Sequence, residues 1–229
     1  MTPSPANAHR LRLPRQALWL LPESAAWHAE SRTLFIADLH LGKSAAFRAG
    51  GLPVPAGTTQ DNLRRLATLV HVHAAGRIVF LGDLLHSRHA QRASAIEPLR
   101  AWRADHAALH CVLVRGNHDA HAGDPPPSLG FEVVDEPWPV AGADGLFACH
   151  HPQRVPGGTV LAGHWHPAVA LRGPARDRER LACFCRLDGL LVLPAFGAFT
   201  GSSPQSPPVG SVCYPVGGDR VWPGIRIGG

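Results

Sequence analysis

Five times along this chain a short apolar run passes, with no linker, into residues that can hold a cation. The pattern is plainest where His110-Cys111-Val112-Leu113-Val114 ends in Arg115-Gly116-Asn117-His118-Asp119. Asn117 offers a neutral amide oxygen, His118 a nitrogen ligand or proton donor, and Asp119 a carboxylate, while Gly116 lets the backbone turn tightly. One turn cannot complete a metal site, so partners have to arrive from elsewhere. This requirement constrains the fold, because the apolar runs must become strands whose ends meet.

The other four runs supply those partners. Thr33–Ala37 delivers Asp38-Leu39-His40-Leu41-Gly42-Lys43, and Arg77–Leu81 delivers Gly82-Asp83-Leu84-Leu85-His86. Leu146–Cys149 ends in His150-His151-Pro152, and Thr159–Ala162 ends in Gly163-His164-Trp165-His166-Pro167. Ligands at strand ends are the usual arrangement in α/β sheets. Asp38 and His40 lie two apart, as do His164 and His166, so an extended backbone turns each pair to one side and Trp165 to the other. Asp83 can bridge two ions, since a carboxylate has two oxygens to offer.

The segments between these runs point to helices. After the loop Gly50–Gly57, the stripe Leu63, Leu66, Leu69 and Val70 predicts a helix capped by Thr58 or Thr59. A second helix is expected between Ala93 and Ala108, starting near Pro98. The resulting β-α-β-α-β alternation implies parallel strands with right-handed crossovers. Ala17–Leu21 and Ala25–His28 read as short strands before it, with Phe131–Val134 after it, following the Pro-rich loop Asp124 to Pro127. Leu181–Phe184, Leu190–Leu193 and Val212–Val216 read as the rest of a second sheet. Residues 1–12 are expected to be a loose tail on a single domain spanning 1–229.

Composition adds class but little function. A hydrophobic content of 45% with 17% charged residues is that of a globular protein, and 24 Gly and 22 Pro indicate many loops. The net charge of +5 permits a polyanionic partner without demanding one, because Arg is scattered and like charges form no block. The five cysteines form no Cys-x-x-Cys pair, which predicts reduced, mostly buried thiols. Met1–Arg15 has no apolar core of a signal segment and no run is long enough to cross a membrane, so a cytoplasmic location is expected.

Taken in order, Asp38-x-His40, Gly82-Asp83, Gly116-Asn117-His118-Asp119, His150 and Gly163-His164-x-His166 resemble the calcineurin-like metallophosphoesterase superfamily over about residues 33–167. The resemblance implies an α/β fold, a four-layer α-β-β-α sandwich with two mixed sheets. It implies one ion held by Asp38, His40, Asp83 and His166, and another held by Asp83, Asn117, His150 and His164. Mixed nitrogen and oxygen ligation suits Mn, with Fe or Zn as alternatives, more than Ca. Two divalent ions outweigh the charge of Asp38 and Asp83, and the surplus can hold a hydroxide and a phosphate together for hydrolysis. His118 is then expected to stabilise the phosphoryl oxygens or protonate the leaving group, oriented by Asp119. His86 and His151 can line the pocket, and Lys43 and Arg115 can meet phosphate.

A narrower resemblance lies in Ala37–Lys43, Ala46-Phe47-Arg48, Gly51-Leu52-Pro53-Val54-Pro55, Gly82–His86 and Cys149-His150-His151-Pro152. These look like the ligase-associated DNA damage response endonuclease branch, PdeM. That implies DNA as substrate and a repair setting with a ligase and a helicase as partners. His151 departs from the Gly that many superfamily members carry after the ligand His. Two other readings stand beside this one: a phosphoesterase for a small nucleotide or phosphorylated metabolite, and a non-catalytic metal-binding scaffold. The lack of an evident aromatic single-strand platform weighs against strong nucleic-acid binding by this domain alone.

Overall fold

Burial on both faces explains why the strand runs are continuously apolar. In the computed structural model, which describes residues 5–49, 51, 57–172, 178–198 and 200–228, the first sheet is built from seven strands. They are β1 (His9–Arg12), β2 (Ala17–Leu21), β3 (Ala25–His28), β4 (Thr33–Ile36), β5 (Arg77–Leu81), β6 (His110–Val114) and β7 (Phe131–Val134). They lie side by side in chain order, antiparallel up to β4 and parallel from β4 to β7. The helices α1 (Lys43–Ala49), α2 (Thr58–His73), α3 (Ala93–Asp105) and α4 (Asn117–Ala122) fall between its strands.

Alternation divides the side chains cleanly. Leu34, Ile36, Ile78, Phe80, Cys111 and Leu113 face the helices and pack with Leu63, Leu66, Leu69, Ile96, Leu99 and Trp102. Phe35, Ala37, Val79, Leu81, Val112 and Val114 turn the other way, onto Leu146, Ala148, Leu161, Phe184, Leu191 and Leu193 of the second sheet.

That second sheet contains β8 (Trp138–Pro139), β9 (Leu146–Ala148), β10 (Thr159–Ala162), β11 (Ala168–Arg172), β12 (Arg178–Leu187), β13 (Leu190–Val192), β14 (Val212–Gly217), β15 (Arg220–Val221) and β16 (Ile225–Arg226). Its central strands β9, β10 and β13 are parallel, and the rest join antiparallel. Its far face buries Cys149, Val160, Cys183, Cys185, Val192 and Cys213. All five cysteines are buried and free.

The α/β class with two mixed sheets matches expectation, and four details differ. Beyond Ala122 there is no α-helix among the described residues, so β11 and the side chains of Trp165, Leu171 and Ile227 cover the far face where a second helical layer was expected. The apolar runs there are short and broken by Gly, Pro and Ser, and they carry no stripe at helical spacing. The expected loose tail is overturned at its end, because β1 pairs with β2 and Leu11 packs between the sheets, 2% exposed. Met1–Ser4 lie outside the described residues, as do Leu52–Ala56 of the expected loop.

Helix starts differ as well. The cap of α2 is Gly57, at φ 90°, with no side-chain cap, while Thr58 donates its hydroxyl to Ser44 Oγ at 2.6 Å. Pro98 does not open α3 but sits inside it. It removes one backbone hydrogen bond, and burial of Ile96, Leu99 and Trp102 on either side holds the helix in place.

Candidate metal centre

The ends of β4, β5, β6, β9 and β10 converge at one end of the two sheets. The turns after β4 and β5 run side by side: His40 N–H donates to Asp83 O at 2.8 Å, Leu41 N–H to Leu84 O at 2.9 Å and His86 N–H to Leu41 O at 3.0 Å. From the second sheet, Gly163 N–H donates to His150 O at 3.1 Å, joining the turns after β9 and β10. His164 N–H reaches across to the Asp38 carboxylate, 2.9 Å from Oδ2.

The expected ligands come together, but not through extended backbone. Asp38 (φ 52°), His40 (φ 47°), Asp83 (φ 51°), His164 (φ 68°) and His166 (φ 45°) all occupy the left-handed region. Side chains two apart therefore converge because each ligand sits on a sharp turn, rather than by strand alternation. Such conformations cost non-glycine residues on the order of 1–3 kcal/mol each, and they cluster where a site needs them.

Glycines at the site serve as clearance, Gly82 and Gly116 among them. A Cβ on Gly82 would collide with the His150 ring, and one on Gly116 with the Asp83 carboxylate. Gly116 has φ −95°, open to any residue, so its place is set by space and not by the tight turn expected of it.

The grouping has two lobes around Asp83. Its Oδ2 lies 3.5 Å from His40 Nε2 and its Oδ1 lies 3.5 Å from His150 Nε2. On the first side, ring nitrogens of His40 and His166 and an Asp38 oxygen lie within 4.8 Å of one another, with His166 Nε2 3.5 Å from Asp38 Oδ1. On the second side, His150 Nε2 is 2.8 Å from Asn117 Oδ1 and 3.1 Å from His164 Nδ1.

The donor set suits a metal. His150 Nδ1 donates to Leu81 O at 3.0 Å, which leaves Nε2 with a lone pair aimed at the Asn117 and Asp83 oxygens. Lone pairs converging on lone pairs favour a cation between them. His40 Nδ1 is buried without a hydrogen-bond partner. Burial, followed by the neighbouring Lys43 and His118, pushes the His40 pKa down to about 2, so the ring is neutral and able to ligate. His164 is lowered too, chiefly by burial and then by His150 and His151. Neutral imidazoles and carboxylates together suit transition metals better than Ca.

Around the ligands, the structure assigns roles that differ from expectation. The His118 ring is not oriented by Asp119: its Nδ1 donates to His86 O at 3.0 Å, and the two rings stack with centroids 5.1 Å apart. Asp119 is fully buried and accepts the N–H groups of Leu85 and Gly116, each at 3.0 Å. It closes the α4 terminus and ties it to the turn after β5. Burial pushes its pKa up to about 6, against the pull of those two donors.

Arg115, one of two basic residues placed to meet phosphate, is paired with Asp124 through two bonds of 2.9 Å and with Asp135. Lys43 donates to Thr200 O at 2.8 Å. His86 does line the site, and burial pushes its pKa down to about 4 with help from His118 and Lys43.

One supporting residue gave no signal in the sequence. Glu136 accepts from His150 N–H at 2.6 Å, His151 N–H at 2.8 Å and the His151 ring at 2.7 Å, which fixes the turn at His151. Glu136 follows no motif, and only the folded chain brings it to His150.

Comparison with known proteins shows the family. The model of the calcineurin-like phosphoesterase family matches residues 31–171. The chain is similar to the crystal structure of Pseudomonas putida nuclease MPE, at 40% identity and a TM-score of 0.82, covering 95% of this chain and 100% of that one. It is 16% identical to Yfce, a phosphoesterase from E. coli, over 86% of this chain and 99% of that one, with a TM-score of 0.42. No match is found among curated proteins.

Proposed function

Because this chain belongs to the calcineurin-like phosphoesterase family and is a metal-dependent hydrolase, we propose that it cleaves phosphodiester bonds of DNA at a centre of two divalent ions. The observation carrying this reading is Asp83, whose two oxygens each face a different imidazole at 3.5 Å, the posture of a carboxylate shared between two ions. Asp38, His40 and His166 would complete one position, and Asn117, His150 and His164 the other. The mixed donor set favours Mn, with Fe or Zn as alternatives. Bound there, the ions would supply a nucleophilic hydroxide near neutral pH and neutralise charge on the phosphoryl oxygens.

The chain's own residues provide the rest. His118 holds its Nδ1 proton on the His86 carbonyl, which leaves Nε2 to exchange a proton with the leaving oxygen or to steady a phosphoryl oxygen. Its backbone N–H donates to Asp83 Oδ1 at 2.9 Å, so the proton carrier and the shared carboxylate move as one piece. DNA as substrate is supported by the 40% identity to a nuclease and by a net charge of +5. A repair setting, with ligase or helicase partners, is supported by the motif resemblance alone.

The test compares wild type with His118→Ala on single- and double-stranded DNA and on bis(p-nitrophenyl) phosphate, with metal content measured in parallel. The variant is expected to keep its metal and lose about 10²–10⁴-fold in turnover, the usual contribution of a positioned acid or base. Wild-type cleavage of the small ester with none of any DNA would sink the nuclease reading, and metal binding without any cleavage would favour a scaffold.

A further inference from the structure

The parallel strands β9, β10 and β13 have a second end. Their C-terminal ends carry His150, His164 and the segment after Leu193, while Gly145, Thr159 and Gly189 at their starts line a cavity of about 880 Å³. At about 3.3 Å per residue, the run from Thr159 to His164 places this cavity roughly 16 Å from the metal ligands.

Among the described residues, four guanidinium groups line it: Arg15, Arg154, Arg186 and Arg226. Arg15 is neutralised by Asp144 at 2.7 Å. Among the described residues, the guanidinium groups of Arg154, Arg186 and Arg226 have no hydrogen-bond or ion-pair partner. Among the described residues, Asp188 is the one other acid in the lining, and its exposed carboxylate is likewise unpaired. Set against Asp144 and Asp188, the cavity retains a surplus of positive charge.

Strand register places two of these groups together. Arg186 of β12 stands opposite Val212 of β14, and Val212 stands opposite Arg226 of β16, so all three share one face of the sheet. On β12 that face also carries Phe184, which packs between the sheets. Arg186 is thus half-buried beside apolar neighbours, where a charge is costly unless something answers it. Guanidinium forks answer phosphate best, through paired charge-assisted hydrogen bonds.

We propose that this cleft binds the phosphate group of a small phosphorylated molecule, at a site separate from the metal centre. The volume lies within the range of small-molecule pockets, roughly 300–1,000 Å³. Among the described residues no aromatic ring lines the cleft, so recognition rests on charge and on the apolar contacts of Leu187, Leu190 and Val212 rather than on base stacking.

Calorimetric titration of the metal-loaded protein with inorganic phosphate tests this. Arg186→Gln/Arg226→Gln is expected to weaken phosphate binding about tenfold or more, with hydrolysis of bis(p-nitrophenyl) phosphate unchanged. Asp188→Asn removes a repelling charge and is expected to tighten binding, a gain that misfolding cannot mimic. The proposal fails if neither change alters phosphate affinity. It fails equally if wild type binds a 5′-phosphorylated tetranucleotide through these arginines while ignoring phosphate, since the cleft would then read a nucleic-acid strand.

Discussion

The two sheets bring unlike chemistry to one centre. From the first come both carboxylates, Asp38 and Asp83, with the amide of Asn117 and the rings of His40 and His118; from the second come only imidazoles, those of His150, His164 and His166. Negative charge therefore sits on the sheet that packs against the helices, and the second sheet adds lone pairs without adding charge. The imidazoles of the second sheet are nevertheless aimed by the first: Leu81 O holds His150 Nδ1 at 3.0 Å, and Asp38 Oδ2 accepts the His164 N–H at 2.9 Å. An ion bound between them, as proposed, would fasten one layer to the other. Loss of a carboxylate should consequently cost more than loss of an imidazole.

Asp83→Asn is the severest way to break this asymmetry. It removes charge from the side chain whose two oxygens each face an imidazole of a different lobe, and turnover is expected to fall by about 10³-fold or more, the scale of losing several kcal/mol of charge stabilisation. Elemental analysis should show metal lost from both positions, and full retention of metal would contradict the shared-carboxylate role. Gly116→Ala changes no ligand but drives a methyl group into Asp83, so a loss of about 10²-fold is expected from misplacement alone. Turnover at the wild-type level would show that the first sheet can yield at this point.

His164→Ala tests the other sheet. Metal affinity is expected to fall by at least about 10- to 100-fold, the cost of losing even a group that only supports a ligand, with turnover recovering as metal is raised in a titration. A loss that no metal concentration restores would place His164 on a par with the carboxylates. Arg115→Ala should do least: activity stays, and the melting temperature drops by about 2–4 °C for a loss near 1 kcal/mol of half-exposed ion pairing. A large drop in activity would return Arg115 to the phosphate.

The same division decides what could be read from the sequence. His110–Val114 and Arg77–Leu81 were legible as strands because both faces are buried and the run is unbroken, and their turns announced themselves by residue type. Edge pieces such as β15 and β16 have two residues each and leave no periodicity. The spacing of Asp38-x-His40 is compatible with extended or left-handed backbone alike, so the ligands were identifiable while the way they converge was not. Partners distant in sequence were hidden altogether. Nothing local links Glu136 to His150, or Arg115 to Asp124 and Asp135. Asp119 shows a related difficulty, since adjacency to His118 suggests orientation, whereas the first turn of α4 points its carboxylate at Leu85 and Gly116 instead.

The clearance at Gly82 and Gly116 bears on how such a chain can change over time. The space at Gly82 is filled by His150 from the other sheet, and that at Gly116 by Asp83 from the neighbouring strand. A substitution at either glycine is therefore judged by a residue elsewhere in the chain, and its effect depends on whether that residue has already changed. Turns coupled in this way drift together or stay put. Borrowing one of them for another scaffold would transfer a cavity without the side chain that shaped it.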